Sequence, residues 1–176
     1  MNDKPNRMVL LTGDGKGKTT SALGMVLRAA GHGLRVFVVQ FMKCRQDTGE
    51  VLALRRFPEV EVRPCGLGFV PKPHSPAFPK HRAAAEEALR LAAERMADPA
   101  LGMMVLDEVC GAIRAGLLRE ADVLAALDRA HPGLILVLTG RGATPALIER
   151  ADTVSRIESV KHGLDSGWQA QKGVEL

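Results

Sequence analysis

The sequence predicts a single α/β domain whose mostly parallel sheet carries helices on both faces, and three observations support that expectation. Apolar runs of strand length alternate with helical patterns along the chain. Those runs show little polar alternation, as expected of parallel strands buried on both faces. The stretch Val9-Leu10-Leu11-Thr12-Gly13-Asp14-Gly15-Lys16-Gly17-Lys18-Thr19-Thr20 reads as a buried strand entering a glycine-rich turn that opens a helix, the arrangement of a phosphate-binding loop.

The elements follow in order. Residues 8–11 form the first strand and 18–30 the helix after it, stopped by Gly31 and Gly33. Residues 35–42 are a near-continuous apolar run and the second strand. Residues 50–57 make a short helix ended by Pro58, and 60–63 a brief strand. Over 79–97, Ala85, Leu89, Ala92 and Met96 recur at spacings of three and four, which predicts a helix. Residues 103–106 and 134–138 are buried strands with a helix over 119–130 between them. Residues 145–150 and 153–157 supply a final helix and strand. The expected domain is 8–176, preceded by a short polar tail over 1–7.

Bulk properties narrow the function classes. A chain of 176 residues buries a substantial single core. The net charge of +4 is mild, its cations are dispersed, and tyrosine is absent. A dedicated nucleic-acid surface pairs clustered cations with stacking rings, so no nucleic-acid partner is expected. No segment approaches membrane-span or signal-peptide length, so no membrane partner is expected. Cys44, Cys65 and Cys110 are far apart and not in CxxC pairs, as idle thiols in a reducing cytoplasm would be.

The loop carries the chemistry. Gly13, Gly15 and Gly17 let backbone N–H groups converge, with Asp14 among them. Lys18 supplies a full charge to bridging phosphate oxygens, Lys16 adds a second cation, and Thr19 or Thr20 opens the helix with a hydroxyl able to ligate Mg²⁺. Thr12 stands where the usual motif begins with glycine. These residues predict a nucleoside triphosphate site. Strand 103–106 ends in Asp107-Glu108, acids placed to hold Mg²⁺ directly or through water. A capping role for Asp107 is the alternative, disfavoured because no strong helix follows. Arg141, between Gly140 and Gly142, reaches phosphate or ribose, or else fixes a turn. His162 is a proton donor or ligand, or a hydrogen-bonded structural residue. Between Pro64 and Pro79 lie five of the ten prolines and two of the five phenylalanines, which predicts a long loop. Phe69 and Phe78 either pin that loop to the core or wall a ligand.

Together these pieces resemble one family, the phosphate-loop type of corrinoid adenosyltransferase. The resemblance rests on the loop from Thr12 to Thr20, on Val38-Val39-Gln40-Phe41-Met42-Lys43, on Gly68-Phe69 and on Val105-Leu106-Asp107-Glu108. It continues through Leu138-Thr139-Gly140-Arg141-Gly142 and Ala151-Asp152-Thr153-Val154, and closes with Val160-Lys161-His162-Gly163-Leu164-Asp165-Ser166-Gly167 and Ala170-Gln171-Lys172-Gly173.

The resemblance implies a P-loop NTPase-like (RecA-like) fold and an unusual use of its loop. A Co(I) corrinoid attacks the 5′ carbon of ATP, a cobalt–carbon bond forms, and intact triphosphate leaves, as cobalamin biosynthesis or salvage requires. Catalysis falls to Lys18, Lys16 and Glu108. ATP is held by Gly13, Asp14, Gly15, Lys16, Gly17, Lys18, Thr19, Thr20 and Arg141, and Mg²⁺ (or Mn²⁺) by Thr19 and Glu108. Phe69 matches a side chain that wedges beneath the corrin and keeps Co(II) four-coordinate, ready for reduction. The family often has tryptophan two residues later, where this chain has Pro71, leaving Val70 or Phe78 to replace it. It often follows Asp-Glu-Leu with Thr-Tyr, where this chain has Val109-Cys110-Gly111. A homodimer and a reducing flavoprotein partner are also implied. The stretch before the first strand is short, and longer relatives cover the active site with it, so looser closure is expected. A phosphate-loop ATPase or small-molecule kinase, or a non-catalytic ATP- or corrinoid-binding protein, is the alternative. The first would carry an arginine-rich lid, and the last would need no metal carboxylate.

Overall fold

The computed structural model describes residues 6–174. Six strands form one sheet in the order β3-β2-β4-β5-β1-β6, and every neighbouring pair runs parallel. In chain order they are β1 (Arg7–Thr12), β2 (Val36–Gln40), β3 (Val60–Pro64), β4 (Met103–Asp107), β5 (Ile135–Thr139) and β6 (Thr153–Arg156). The helices are α1 (Lys18–Gly31), α2 (Gly49–Leu54), α3 (Phe78–Met96), α4 (Val109–Arg114), α5 (Glu120–Leu127) and α6 (Pro145–Arg150). This is the parallel α/β sheet that the loop and the apolar strands predict, in the P-loop NTPase-like form that the resemblance implies. Of the tail expected over 1–7, residues 1–5 lie outside the described residues, and Arg7 begins β1.

The apolar strands are buried because each sheet face is covered. β2 and β4 are buried along their whole length. On one face Ala22, Leu23, Val26 and Ala29 of α1 pack over Leu11, Val38, Val105 and Val137. On the other, Ala85, Leu89, Ala92 and Met96 of α3 pack with Phe37, Val39, Met104 and Leu106. Those four α3 side chains are the set picked out by helical spacing.

Two details depart from the sequence expectation. Helix α4 follows Asp107-Glu108 directly, where no strong helix is predicted. Val109, Cys110, Gly111 and Ile113 are poor helix formers, and the six-residue helix forms because Val109, Cys110 and Ala112 are buried. Phe78 is not part of a wall over a ligand. It opens α3 and is 6% exposed within the core, so it does not supply the second wedge that Pro71 leaves open. Phe69, by contrast, is 97% exposed.

The topology sets the site. β5 lies between β1, which carries the glycine loop, and β4, which ends in the acids. In a parallel sheet all these strands deliver their C-terminal ends to one edge, the usual place for a ligand crevice. Among the described residues no helix is long and apolar enough to cross a membrane.

The three cysteines are free. Cys44 is exposed and Cys65 half-buried, while burial pushes the Cys110 thiol up to about 12. Since the thiolate is the reactive form, thiol titration of the native protein at pH 8 is expected to label Cys44 first and Cys65 more slowly. Cys110 is expected to react only after unfolding, and rapid native labelling of three thiols contradicts this packing.

Candidate nucleotide site

The glycine loop leaves β1 at Thr12 and enters α1 at Lys18. Gly13 and Gly17 hold φ at +99° and +115°, a region that disfavours side chains. A Cβ on Gly13 would stand 2.4 Å from the Ile157 carbonyl oxygen, and one on Gly15 would stand 2.4 Å from that of Glu158. The chain leaving β6 therefore runs directly against the loop, and the Gly15 N–H donates to the Ile157 carbonyl at 2.8 Å. Thr12 is buried, its Oγ1 accepting the Ala143 N–H at 3.4 Å.

The expected cations take different positions. Lys18 is 6% exposed, and its ammonium donates to the Gly15 carbonyl at 2.6 Å. Burial pulls it below the ordinary lysine range, with Arg141 acting the same way and Glu108 and Asp14 opposing. Lys16 reaches the far end of the chain and donates to the Val174 carbonyl at 2.8 Å. Arg141 donates to the Asp14 carbonyl at 3.1 Å, tying the β5 turn to the loop.

Asp107 is the hub of the site. It is fully buried, and its Oδ1 accepts hydroxyl hydrogen bonds from Thr19 at 2.7 Å and Thr139 at 2.8 Å. Its Oδ2 accepts from Gln40 Nε2 at 3.1 Å, and the Lys43 ammonium stands 3.8 Å away. A buried carboxylate is tolerated only when paired and hydrogen-bonded in this way. Thr19 is therefore engaged by Asp107 rather than by Glu108, the acid expected to share a metal with it.

Glu108 occupies a different niche. It is the one non-glycine residue with positive φ (62°) among the described residues, a strain of about 1–2 kcal/mol that a site must hold in place. Its N–H donates to Thr139 Oγ1 at 2.9 Å. Its carboxylate lies against α4, where a Cβ on Gly111 would stand 2.6 Å from Oε2. Burial and then the Asp107 charge push the Glu108 carboxyl above the ordinary range, against Lys18, Arg141 and Lys43.

These groups open on one cleft of about 1150 Å³. Its walls include Gly15 to Thr20, Glu108, Arg141 and His162. Leu23 and Leu27 of α1 line another part, as do Lys43, Glu50, Gly173 and Val174. Phe69 is not among the lining residues. It stands on a loop tied to the cleft wall, where the Gly68 N–H donates to the Met42 carbonyl at 3.0 Å. Sequence reasoning gave no role to Gln40, Lys43, Glu50, Thr139 or Val174. Lys43 bonds Glu50 at 3.0 Å. Burial pushes the Glu50 carboxyl up, and its own backbone N–H together with Lys43 outweighs that and holds it below the ordinary range. Gln40 and Thr139 carried a local signal, each being a polar residue that closes an apolar strand.

With this geometry in view, comparison with known proteins is decisive. The profile of the family described as ATP:corrinoid adenosyltransferase BtuR/CobO/CobP matches residues 4–176. The chain belongs to this family. A corrinoid adenosyltransferase of Pseudomonas aeruginosa is 45% identical over 99% of this chain and 85% of its own length. One from Escherichia coli is 36% identical over 98% of this chain and 87% of its own. The corrinoid adenosyltransferase CobA of Salmonella typhimurium is 37% identical over 96% of this chain and 84% of its own.

The raised Glu108 carboxyl has a consequence for stability. Its folded state holds a proton more readily than the unfolded chain, so stability is lost as pH rises from the ordinary carboxylate range through the raised value. Glu108→Gln removes that penalty. Its Tm is expected to exceed that of the parent protein at pH 8, with the difference vanishing below about pH 4, near the ordinary glutamate value. Thermal melts across this range check it, and a Gln variant less stable at pH 8 contradicts the electrostatics.

Proposed function

We propose that the protein transfers the 5′-deoxyadenosyl group of ATP to a Co(I) corrinoid and releases triphosphate. The observation that carries this reading is the family match over residues 4–176, together with a phosphate loop whose Lys18 and Thr19 share one large cleft with Glu108, Thr19 being held from behind by buried Asp107. Cobalt donates an electron pair to C5′ as the C5′–O bond breaks, and the bonding pair leaves on the triphosphate. No general base is required, because the metal of the substrate is the nucleophile.

The residues have distinct tasks. ATP is bound by the loop, Gly13 to Thr20, and by Arg141. Charge growing on the leaving triphosphate is stabilised by Lys18, by Lys16 once it turns from the Val174 carbonyl, and by the loop amides. The lowered affinity of buried Lys18 for its proton reflects desolvation that a polyanion would offset. The strained backbone of Glu108 aims its carboxylate at the same cleft.

The donor set suits a hard divalent cation, Mg²⁺ or Mn²⁺. The hydroxyl hydrogen of Thr19 is committed to Asp107, which leaves its oxygen lone pairs for a cation, and Glu108 adds a carboxylate. The buried Oε1 of Gln40, without a hydrogen-bond partner among the described residues, suits a water of hydration. Thr19 and Glu108 would hold the ion, with Asp107 orienting Thr19. When bound, the ion supplies electrostatic stabilisation of triphosphate oxygens.

Phe69 is the corrinoid contact in this reading. A fully exposed phenylalanine contributes little to the fold and offers a large apolar face to a ligand. The catalytic domain is residues 8–176, with β1 reaching back one residue to Arg7. Cytoplasmic location accords with three free thiols. The homodimer and the reducing flavoprotein rest on the family resemblance alone.

Two outcomes test these assignments. Lys18→Ala is expected to lower kcat by about 10²–10³-fold at saturating ATP, with Lys16→Ala milder. The assay mixes protein, Mg-ATP and reduced cobalamin and follows triphosphate and the light-sensitive Co–C product. Release of ADP instead would identify an ATPase or kinase. Phe69→Ala is expected to leave the free energy of unfolding within about 0.5 kcal/mol of the parent and ATP affinity unchanged. It should cripple the reaction begun from Co(II) while retaining much of that begun from chemically prepared Co(I), and equal loss in both assays refutes the wedge.

A further inference from the structure

The chain after β6 meets the phosphate loop twice. It first passes behind the loop, where the Ile157 carbonyl accepts the Gly15 N–H at 2.8 Å. It then returns, and the Val174 carbonyl accepts from the Lys16 ammonium at 2.8 Å. Residues 159–173 thus leave the loop and come back to it, in the manner of an Ω-loop. The packing that usually stabilises such a loop is thin here. Ser159 to Lys161 and Asp165 to Val174 are all exposed, with Val160 at 94% and Trp168 at 70%. Backbone hydrogen bonds within the stretch are local, from the Asp165 N–H to the His162 carbonyl and from the Trp168 N–H to the Gly163 carbonyl. A segment with so few buried contacts opens at little cost.

The returning end is built for its contact. The Val174 N–H donates to the Gln171 carbonyl at 3.1 Å and closes a tight turn. Gly173 holds φ at +84° within it, the region that the third residue of a type II turn needs. This turn places Gly173 and Val174 in the cleft wall with Gly15 to Thr20 and His162. The cation it captures is one that the loop would offer to phosphate. The two acceptors are unequal. A hydrogen bond from an ammonium to a carbonyl is charged on one side only, whereas with a phosphate oxygen both partners carry charge.

We propose that residues 159–174 form a strap whose closing turn occupies Lys16 in the resting protein, and that ATP opens the strap by drawing Lys16 onto its phosphates. The proposal rests on the reading that this cleft binds ATP. The strap is a built-in competitor: it holds a loop cation until a polyanion arrives, and its release removes Gly173 and Val174 from the cleft wall.

Competition and a binding role for the same residues predict opposite signs. Deleting residues 170–176 should tighten ATP binding, lowering Kd about three- to tenfold, the worth of one hydrogen bond. Gly173→Ala keeps the full chain and its charges but strains the turn, and should lower Kd in the same direction and by less. In a Lys16→Ala background the deletion should change Kd less than twofold, because the contested cation is gone. Trp168 is the single tryptophan of the chain, so its fluorescence anisotropy reads the strap directly. Adding Mg-ATP to the parent protein without corrinoid should lower that anisotropy. Unchanged or weaker ATP binding after the deletion overturns the proposal, the weaker case making the segment part of the nucleotide site. Equal tightening with and without Lys16 overturns it in favour of simple access to the cleft. Anisotropy that stays level or rises with ATP overturns the opening. These results leave ATP binding itself standing, whereas failure of the parent protein to bind ATP refutes the functional reading and the strap with it.

Discussion

A buried carboxylate holds the site together. Asp107 closes the central strand β4 with no solvent contact, and it accepts hydrogen bonds from three elements at once: Thr19 of α1, Gln40 of β2 and Thr139 of β5. A charge in that position without partners would cost several kcal/mol, so the three polar residues are as necessary to it as it is to them. Their shared carboxylate fixes where the first turn of α1 sits relative to the sheet. Because Thr19 follows Lys18 directly, the same contact also positions Lys18 at the wall of the cleft.

The neighbouring acid is arranged in the contrary way. Glu108 is the strained residue, with a left-handed backbone, a carboxyl raised by burial, and its side chain against Gly111. Strain and desolvation together make it costly, which is the usual mark of a group kept for chemistry rather than for stability. One acid is thus locked inside the architecture while the other lines the cleft, although they are adjacent in the chain and alike in composition.

The glycine loop owes its composition to two masters. Gly17 needs its positive φ and has free space before it, as a backbone cradle for phosphates requires. Gly13 and Gly15 are instead hemmed in by the carbonyls of Ile157 and Glu158. The last strand and the chain after it therefore act as a rear wall for the loop. Lys16 reinforces that closure through Val174, 158 positions away. A loop so braced loses little further freedom on binding, which is the advantage of preorganisation.

The amino-acid sequence alone determined the class of fold and the kind of ligand. Val9 to Thr20 carries strand, turn and phosphate-binding residues within one contiguous stretch, and the apolar periods of β2, β4 and α3 are local properties. What tertiary structure decided was pairing at a distance. The choice of Asp107 over Glu108 as the partner of Thr19 depends on α1 crossing the sheet between β1 and β4, which no local pattern encodes. Phe69 and Phe78 lie in one proline-rich run and look equivalent there, yet one is free and the other buried, because α3 begins at Phe78 and docks it in the core. Helix α4 was illegible because four of its six residues are poor helix formers, and the burial of Val109, Cys110 and Ala112 that favours it is not a local property.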